Sequence, residues 1–150
     1  MLKKTTRREI KNLRSKSINV FNGLKSLDSI TYTESPLEAD LCYHLEFDDK
    51  VSNYQAQPLP IEYYFQGTVR SYTPDFEVNY KDGTICYFEV KYCSDIERID
   101  SFFEWEVAIR KATTSKGKGF IVIKEDFIRQ EFLYENLQTL YSASDLPIYR

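Results

Sequence analysis

Apolar residues change period several times along the chain, and each change predicts an element. The clearest start is at Ser35, Pro36, Leu37 and Glu38: a serine that can cap, a proline suited to the first helical position and a glutamate at the third. Leu37, Leu41 and Leu45 follow at four-residue spacing, which predicts a helix from Pro36 to about Phe47 with one side buried. After Asp48, Asp49 and Lys50 the pattern turns to strands. Residues 51–57 read as the first, stopped by Pro58 and Pro60, and Ile61–Phe65 and Thr68–Tyr72 flank Gln66 and Gly67, a short hairpin signal. Phe76–Tyr80 alternates apolar and polar residues, and residues 84–90 are almost continuously apolar, as in a strand covered on both faces. Helical period returns from Asp95 to about Ala112, with Ile99, Phe103 and Val107 four apart and Ile96, Phe102 and Ile109 beside them. Residues 113–119 form a small basic loop with glycines, residues 120–123 a short buried strand, and a last helix starts near Glu125 and runs to about Leu140. Residues 19–33 show no clear period and read as irregular. The order predicts an α/β domain over residues 34–150, a central mixed sheet flanked by helices (an α-β-β-β-α-β core), preceded by an arm over residues 1–33.

Composition narrows the class. A chain of 150 residues is one domain by length, able to bury about two-thirds of the surface its unfolded form exposes. Twelve Tyr and ten Phe supply core area, while five Gly and five Pro argue against a long disordered linker. Cys42, Cys86 and Cys93 have no metal-like spacing and are odd in number, and residues 1–16 lack the apolar stretch of a signal peptide. Free thiols in a reducing cytoplasm are therefore expected. No apolar run approaches the ~20 residues of a membrane helix. Net charge is −3, but residues 1–16 carry seven basic residues against Glu9 alone, so this arm is +6 and the other 134 residues total −9. Such an arm can lie along phosphates and release counterions, or be a solvated terminus.

The chemistry gathers around Pro74 and Asp75, followed thirteen residues later by Glu89, Val90 and Lys91. On a strand, positions 89 and 91 share a face. Whether Asp75 joins them depends on the intervening turn. A two-residue loop at Asp82 and Gly83 pairs Asp75 with Val90 and turns it away from Glu89. A three-residue loop at Lys81, Asp82 and Gly83, with Gly83 left-handed, pairs Tyr80 with Thr84 and sets Asp75 opposite Glu89. The second register, or an equivalent bulge, is expected. Opposed carboxylates about 5 Å apart at Cβ repel each other, and a divalent cation such as Mg2+, which prefers oxygen ligands, offsets that cost. Lys91 alongside can polarise an attacking water or stabilise charge on a scissile phosphate. Alone, this spacing arises by chance in many proteins, and a surface Glu–Lys pair is the competing reading. Glu38 is equally two-sided: half of a capping box with Ser35, or a first-turn carboxylate that reaches the metal or its water.

Taken together, residues 34–41 (ESPLEADL), 45–48 (LEFD), Gln57 with Pro58, 70–76 (RSYTPDF), 88–91 (FEVK) and 124–128 (KEDFI) make an ordered series. It resembles that of the TnsA transposon endonucleases over about residues 31–128. The resemblance implies a restriction-endonuclease-like fold of the PD-(D/E)XK nuclease superfamily. It further implies an endodeoxyribonuclease that needs Mg2+, with Mn2+ as a substitute, and hydrolyses a phosphodiester of double-stranded DNA at transposon ends. A separate transposase cuts the other strand, as in DNA transposition and recombination. Carried onto this chain, Glu38 is the helix carboxylate, Asp75 the main metal ligand and Glu89 the second ligand. The Val90 carbonyl is a further ligand, and Lys91 is the catalytic lysine. Two features depart from the family: some members carry glutamine at the position of Glu89, and members usually continue into a winged-helix domain that contacts an ATP-dependent regulator. Ending at Arg150, the chain is expected to be a truncated product or a stand-alone nuclease.

Other residues carry weaker signals. His44 is expected to be a satisfied helix residue rather than a general base, and Trp105, with Phe102 and Phe103, a packing residue. Lys116 and Lys118 lack the Lys-Ser/Thr ending of a phosphate loop. Gln57, Arg70 and Tyr72 are candidates for positioning substrate or touching phosphate. Two rival functions remain open: a defence, restriction or phage DNA-processing nuclease working alone, and a catalytically idle module that binds DNA or docks a transposase.

Overall fold

The computed structural model describes residues 18–130 and 133–144, so the basic arm at residues 1–16 lies outside the described residues. The stretch read as irregular is not so throughout. Asn19–Phe21 (β1) and Thr31–Thr33 (β2) pair antiparallel, and Phe21 is buried in the core. The loop between them is tied down by Glu46, whose carboxylate accepts from the Lys25 N–H at 3.1 Å and from the Tyr54 hydroxyl at 2.9 Å. These bonds are tertiary, which is why no local period announced them.

Helix α1 (Pro36–Phe47) begins as its capping residues predict: the Ser35 hydroxyl accepts from the Glu38 N–H at 3.1 Å. Leu37, Leu41 and Leu45 are at most 3% exposed. Next come β3 (Val51–Ala56) and the hairpin of β4 (Ile61–Phe65) and β5 (Thr68–Tyr72), turned at Gln66 and Gly67, both of positive φ as a two-residue turn of this hand requires. The chain then runs through β6 (Phe76–Tyr80) and β7 (Ile85–Lys91), followed by α2 (Cys93–Arg98), α3 (Phe102–Thr114), β8 (Gly119–Lys124), α4 (Glu125–Ile128) and α5 (Leu133–Ser144).

The central sheet runs β3-β6-β7-β8, with β3, β6 and β7 antiparallel and β8 parallel to β7, the mixed sheet expected. Phe88 and Tyr87 are neighbours on β7 and so point to opposite faces. Phe88 joins the core beneath α1, with Phe76, Val78, Val90 and Ile128. Tyr87 joins a second core of Ile61, Tyr63, Ile109 and Phe120, made by the β4–β5 hairpin and α3.

Two helical expectations need correction. The helix read from residue 95 to 112 breaks at residues 99–101, where Ser101 is left-handed at φ +61°, and becomes α2 and α3. The row of Ile99, Phe103 and Val107 straddles that break and faces out, at 42%, 71% and 50% exposure. Trp105, Ala108, Ile109 and Ala112 pack inward instead. The last helix likewise divides into α4 and α5. Among the described residues no helix is long and apolar enough to cross a membrane, and all three cysteines are free thiols.

The α1 seam carries much of the first core. Truncating Leu41, 1% exposed, leaves a cavity between helix and sheet. Leu41→Ala is expected to cost about 2–5 kcal/mol, read from the shift in the urea midpoint.

Candidate active site

The β6–β7 turn sets the geometry. Gly83 is left-handed at φ +90°, the Tyr80 N–H donates to the Thr84 carbonyl at 2.9 Å, and the Gly83 N–H to the Tyr80 carbonyl at 3.0 Å. The three-residue loop is therefore the one formed, and the pairs run from Asn79–Ile85 to Phe76–Phe88. Continued one step, this register sets Asp75 across from Glu89. Asp75 itself lies in a bend just outside β6 rather than flat in the ladder. Its N–H donates to the Phe88 carbonyl at 3.1 Å, its carbonyl accepts from the Gln57 N–H at 2.9 Å, and its Oδ2 accepts from the Val90 N–H at 2.7 Å.

Pro74 explains the break. In register it faces Val90, and having no N–H it cannot continue the ladder. The Asp75 carboxylate takes the Val90 N–H instead. In a strand the carbonyl of a residue points to the same edge as its N–H, so the Val90 carbonyl also faces this corner.

Glu89 and Lys91 lie on the Tyr87 face of β7, with Lys91 Nζ 3.3 Å from Glu89 Oε1. Glu89 Oε2 accepts from the Tyr72 hydroxyl. Glu38 approaches from α1, on the other face, and its Oε1 accepts from Gln57 Nε2 at 3.4 Å. Asp75, at the sheet end where both faces meet, lies close enough to Glu38 and Glu89 for the charge of each to act on its carboxyl. All four predicted side chains and Val90 thus converge on one corner. Glu38 and Glu89 are only 5% and 7% exposed.

Burial is the largest influence on each carboxyl here and pushes all three above their ordinary values. Glu38 is raised by desolvation despite contacts with Asp75 and Ser35 that favour its charge. Glu89 is raised by desolvation against the opposing pull of Tyr72 and Lys91. Asp75 rises furthest, by desolvation and then by the charges of Glu89 and Glu38, only partly offset by the Val90 N–H. Among the described residues no three His, Cys, Asp or Glu side chains converge on a single metal-holding point as they stand. The reason is visible in the contacts: Glu89 is turned to Tyr72 and Lys91, and Glu38 to Gln57 and Asp75.

Tyr72, a candidate for touching phosphate, is a partner of Glu89, its ring edge-on to Trp105 at 5.2 Å and to Phe120 at 6.2 Å. No sequence signal revealed this, because the hairpin that carries Tyr72 does not pair with the central sheet. Arg70 stays on the hairpin with its guanidinium over Phe65. His44 Nε2 is 2.7 Å from the Ile128 carbonyl, a satisfied helix residue as expected. It borders an apolar cleft of about 400 Å3 that contains none of the acidic cluster. Lys118 pairs with Glu77 at 3.6 Å and with the Tyr87 hydroxyl at 3.1 Å.

A mixed sheet with α1 on one face and α3 on the other, and acids gathered at one end beside a strand lysine, is the restriction-endonuclease-like fold. Within that class, the family model for the TnsA-like endonuclease N-terminal domain matches residues 48–125, more than half of the chain. The chain belongs to this endonuclease family. The matched span holds Gln57, Asp75, Glu89, Val90 and Lys91, and Glu38 lies just upstream. A search of curated proteins finds no match.

Because folding raises these three carboxyl pKa values, the native state holds protons that the unfolded chain gives up. Their favourable contribution is complete below the unfolded values near 4 and is lost as pH rises through the folded ones. Without divalent cations, stability at this cluster should fall as pH rises above about 4 toward neutral. Asp75→Asn, which replaces a repelling charge by an amide, should flatten that fall and raise stability at pH 8 by about 1 kcal/mol. Melting curves in EDTA across pH check both, and a wild-type curve that rises from pH 5 to 8 with no change in Asp75→Asn contradicts them.

Proposed function

We propose that this chain is a Mg2+-dependent endodeoxyribonuclease that cuts double-stranded DNA at transposon ends, in the cytoplasm and together with a separate transposase. The observation that carries the reading is the buried contact of three carboxyls beside one lysine. Like charges in that setting cost stability unless a proton or cation is shared among them. The donor set fits Mg2+ and not a softer metal, since every group is a hard oxygen. Asp75, Glu89 and the Val90 carbonyl would hold the ion, with Glu38 reaching it directly or through water. Bound there, Mg2+ supplies Lewis acidity toward the phosphate and makes a water acidic enough to attack.

The chain's own groups do the rest. Asp75 is pinned by its N–H, its carbonyl and its Oδ2, so its remaining oxygen is aimed without further ordering cost. Lys91 is about a quarter exposed, at 26%, and can leave its ion pair with Glu89 to meet an incoming phosphate oxygen or orient the attacking water. Glu38, buried at the start of α1, orients water on the other side of Asp75. The attacking oxygen then displaces the leaving oxygen in line, the bond to phosphorus forming as the ester bond breaks. The transposase partner follows from the family alone.

Asp75→Ala and Lys91→Ala should each slow plasmid nicking in Mg2+ or Mn2+ by at least about 100-fold while circular dichroism stays native. The assay is run with and without the candidate transposase. Wild-type cutting rates in Asp75→Ala protein would rule out the assignment.

A further inference from the structure

Among the described residues, three other than glycine adopt positive φ: Gln57 at +48°, Gln66 at +51° and Ser101 at +61°. Gln66 and Ser101 are exposed, one in the hairpin turn and the other ahead of α3. Gln57 is different. It is 4% exposed, and it directly precedes Pro58, which disfavours helical backbone in the residue before it. A left-handed, non-glycine residue there is strained, and such strain persists only where the surroundings over-determine it.

The surroundings are the acidic cluster. The Gln57 N–H donates to the Asp75 carbonyl at 2.9 Å, and Nε2 donates to Glu38 Oε1 at 3.4 Å. One residue at the end of β3 therefore grips the backbone of one carboxyl-bearing residue and the side chain of another, across two elements. Residue chemistry matters as well. An amide donates to a carboxylate without adding charge. A lysine would form an ion pair and compete with a cation, and a glutamate would add a fourth acid.

We infer that Gln57 is a positioning residue of the nuclease site. Its left-handed backbone turns the amide inward, holds the Glu38 carboxyl toward Asp75 and fixes the bend that carries Asp75. The inference rests on the nuclease reading of the cluster.

Gln57→Ala and Gln57→Gly in the full chain test it. Both remove the amide, but glycine alone relieves the backbone. Gln57→Gly should melt about 2–4 °C above Gln57→Ala. Both should need about 10-fold more Mn2+ at the midpoint of the metal-induced rise in melting temperature, and both should nick plasmid DNA about 10–100-fold more slowly than wild type. A merely structural residue would behave otherwise, with metal response and activity recovering along with stability. A Gln57→Gly protein with the wild-type Mn2+ midpoint and rate therefore overturns the inference while leaving the nuclease reading intact. Wild-type protein that neither responds to Mn2+ nor nicks DNA overturns both. Should Gln57→Ala fail to fold, Gln57→Asn takes its place: asparagine tolerates positive φ but is one methylene short of Glu38, so an unchanged Mn2+ midpoint in that variant overturns the inference.

Discussion

Three carboxyl groups occupy one buried corner, and the fold has to make that tolerable. Ionised together in a poorly solvated site, Glu38, Asp75 and Glu89 would repel one another and lose hydration, each unfavourable by itself. The chain answers with donors placed one by one: the Val90 N–H on Asp75, the Gln57 amide on Glu38, and the Tyr72 hydroxyl and Lys91 on Glu89. These partners come from three separate stretches of chain, around Gln57, Tyr72 and the end of β7, so the corner exists only in the assembled domain. Stability must come from elsewhere, from the α1 seam on one face of the sheet and the aromatic packing around Trp105 and Phe120 on the other. A raised pKa on all three acids records the strain that remains.

The corner is organised by backbone features whose side chains do no chemistry. Gly83 closes a three-residue turn that only a left-handed residue completes, and this fixes which β6 residue meets which β7 residue. A one-residue slip would pair Asp75 with Val90 and reverse its face. Pro74 then ends the ladder: lacking an N–H, it leaves the Val90 carbonyl without its ladder donor, while the Val90 N–H goes to the Asp75 side chain. Between Gln57 and Asp75 the chain leaves the central sheet to build the β4–β5 hairpin and returns, and the Gln57 N–H to Asp75 carbonyl bond closes that excursion at its base. The hairpin reports back to the site through Tyr72, its last residue, on Glu89. Entry to the excursion, exit from it and its final side chain all touch the acids.

How much of this was legible in the sequence follows from how local each determinant is. The α1 start needs only Ser35, Pro36 and Glu38, all within one turn, and it forms as read. The Asp75–Glu89 register needs only the turn at Lys81, Asp82 and Gly83, again local, and it too forms as read. Where tertiary contacts decide, local pattern fails. β1 and β2 are three residues each and are held by Glu46 and the Phe21 packing, so no period marks them. The break at Ser101 resets the helical phase, and the row of Ile99, Phe103 and Val107 turns outward. Asp75 was expected opposite Glu89 by this register or an equivalent bulge, but the particular bend it adopts was not legible. Its bend depends on Gln57 and on the missing Pro74 donor, and these act through space.

Charge sets the final constraint on the proposed chemistry. A DNA phosphate approaching this corner meets three acids and one lysine, an unfavourable field unless the acids are neutralised. A proton on Asp75 removes one negative charge, and a divalent ion removes two while keeping the oxygens as ligands. Protons and cation thus compete for the same carboxyl, since a ligating carboxylate must be deprotonated. The burial that raises the Asp75 pKa therefore has opposite consequences for the two states of the site. It makes the cation-free domain favour acid, and it leaves the ionised cluster with a repulsion that only a shared positive charge relieves. On the proposed reading, affinity for a cation and instability without one would have a single origin, the exclusion of water from three crowded carboxyl groups.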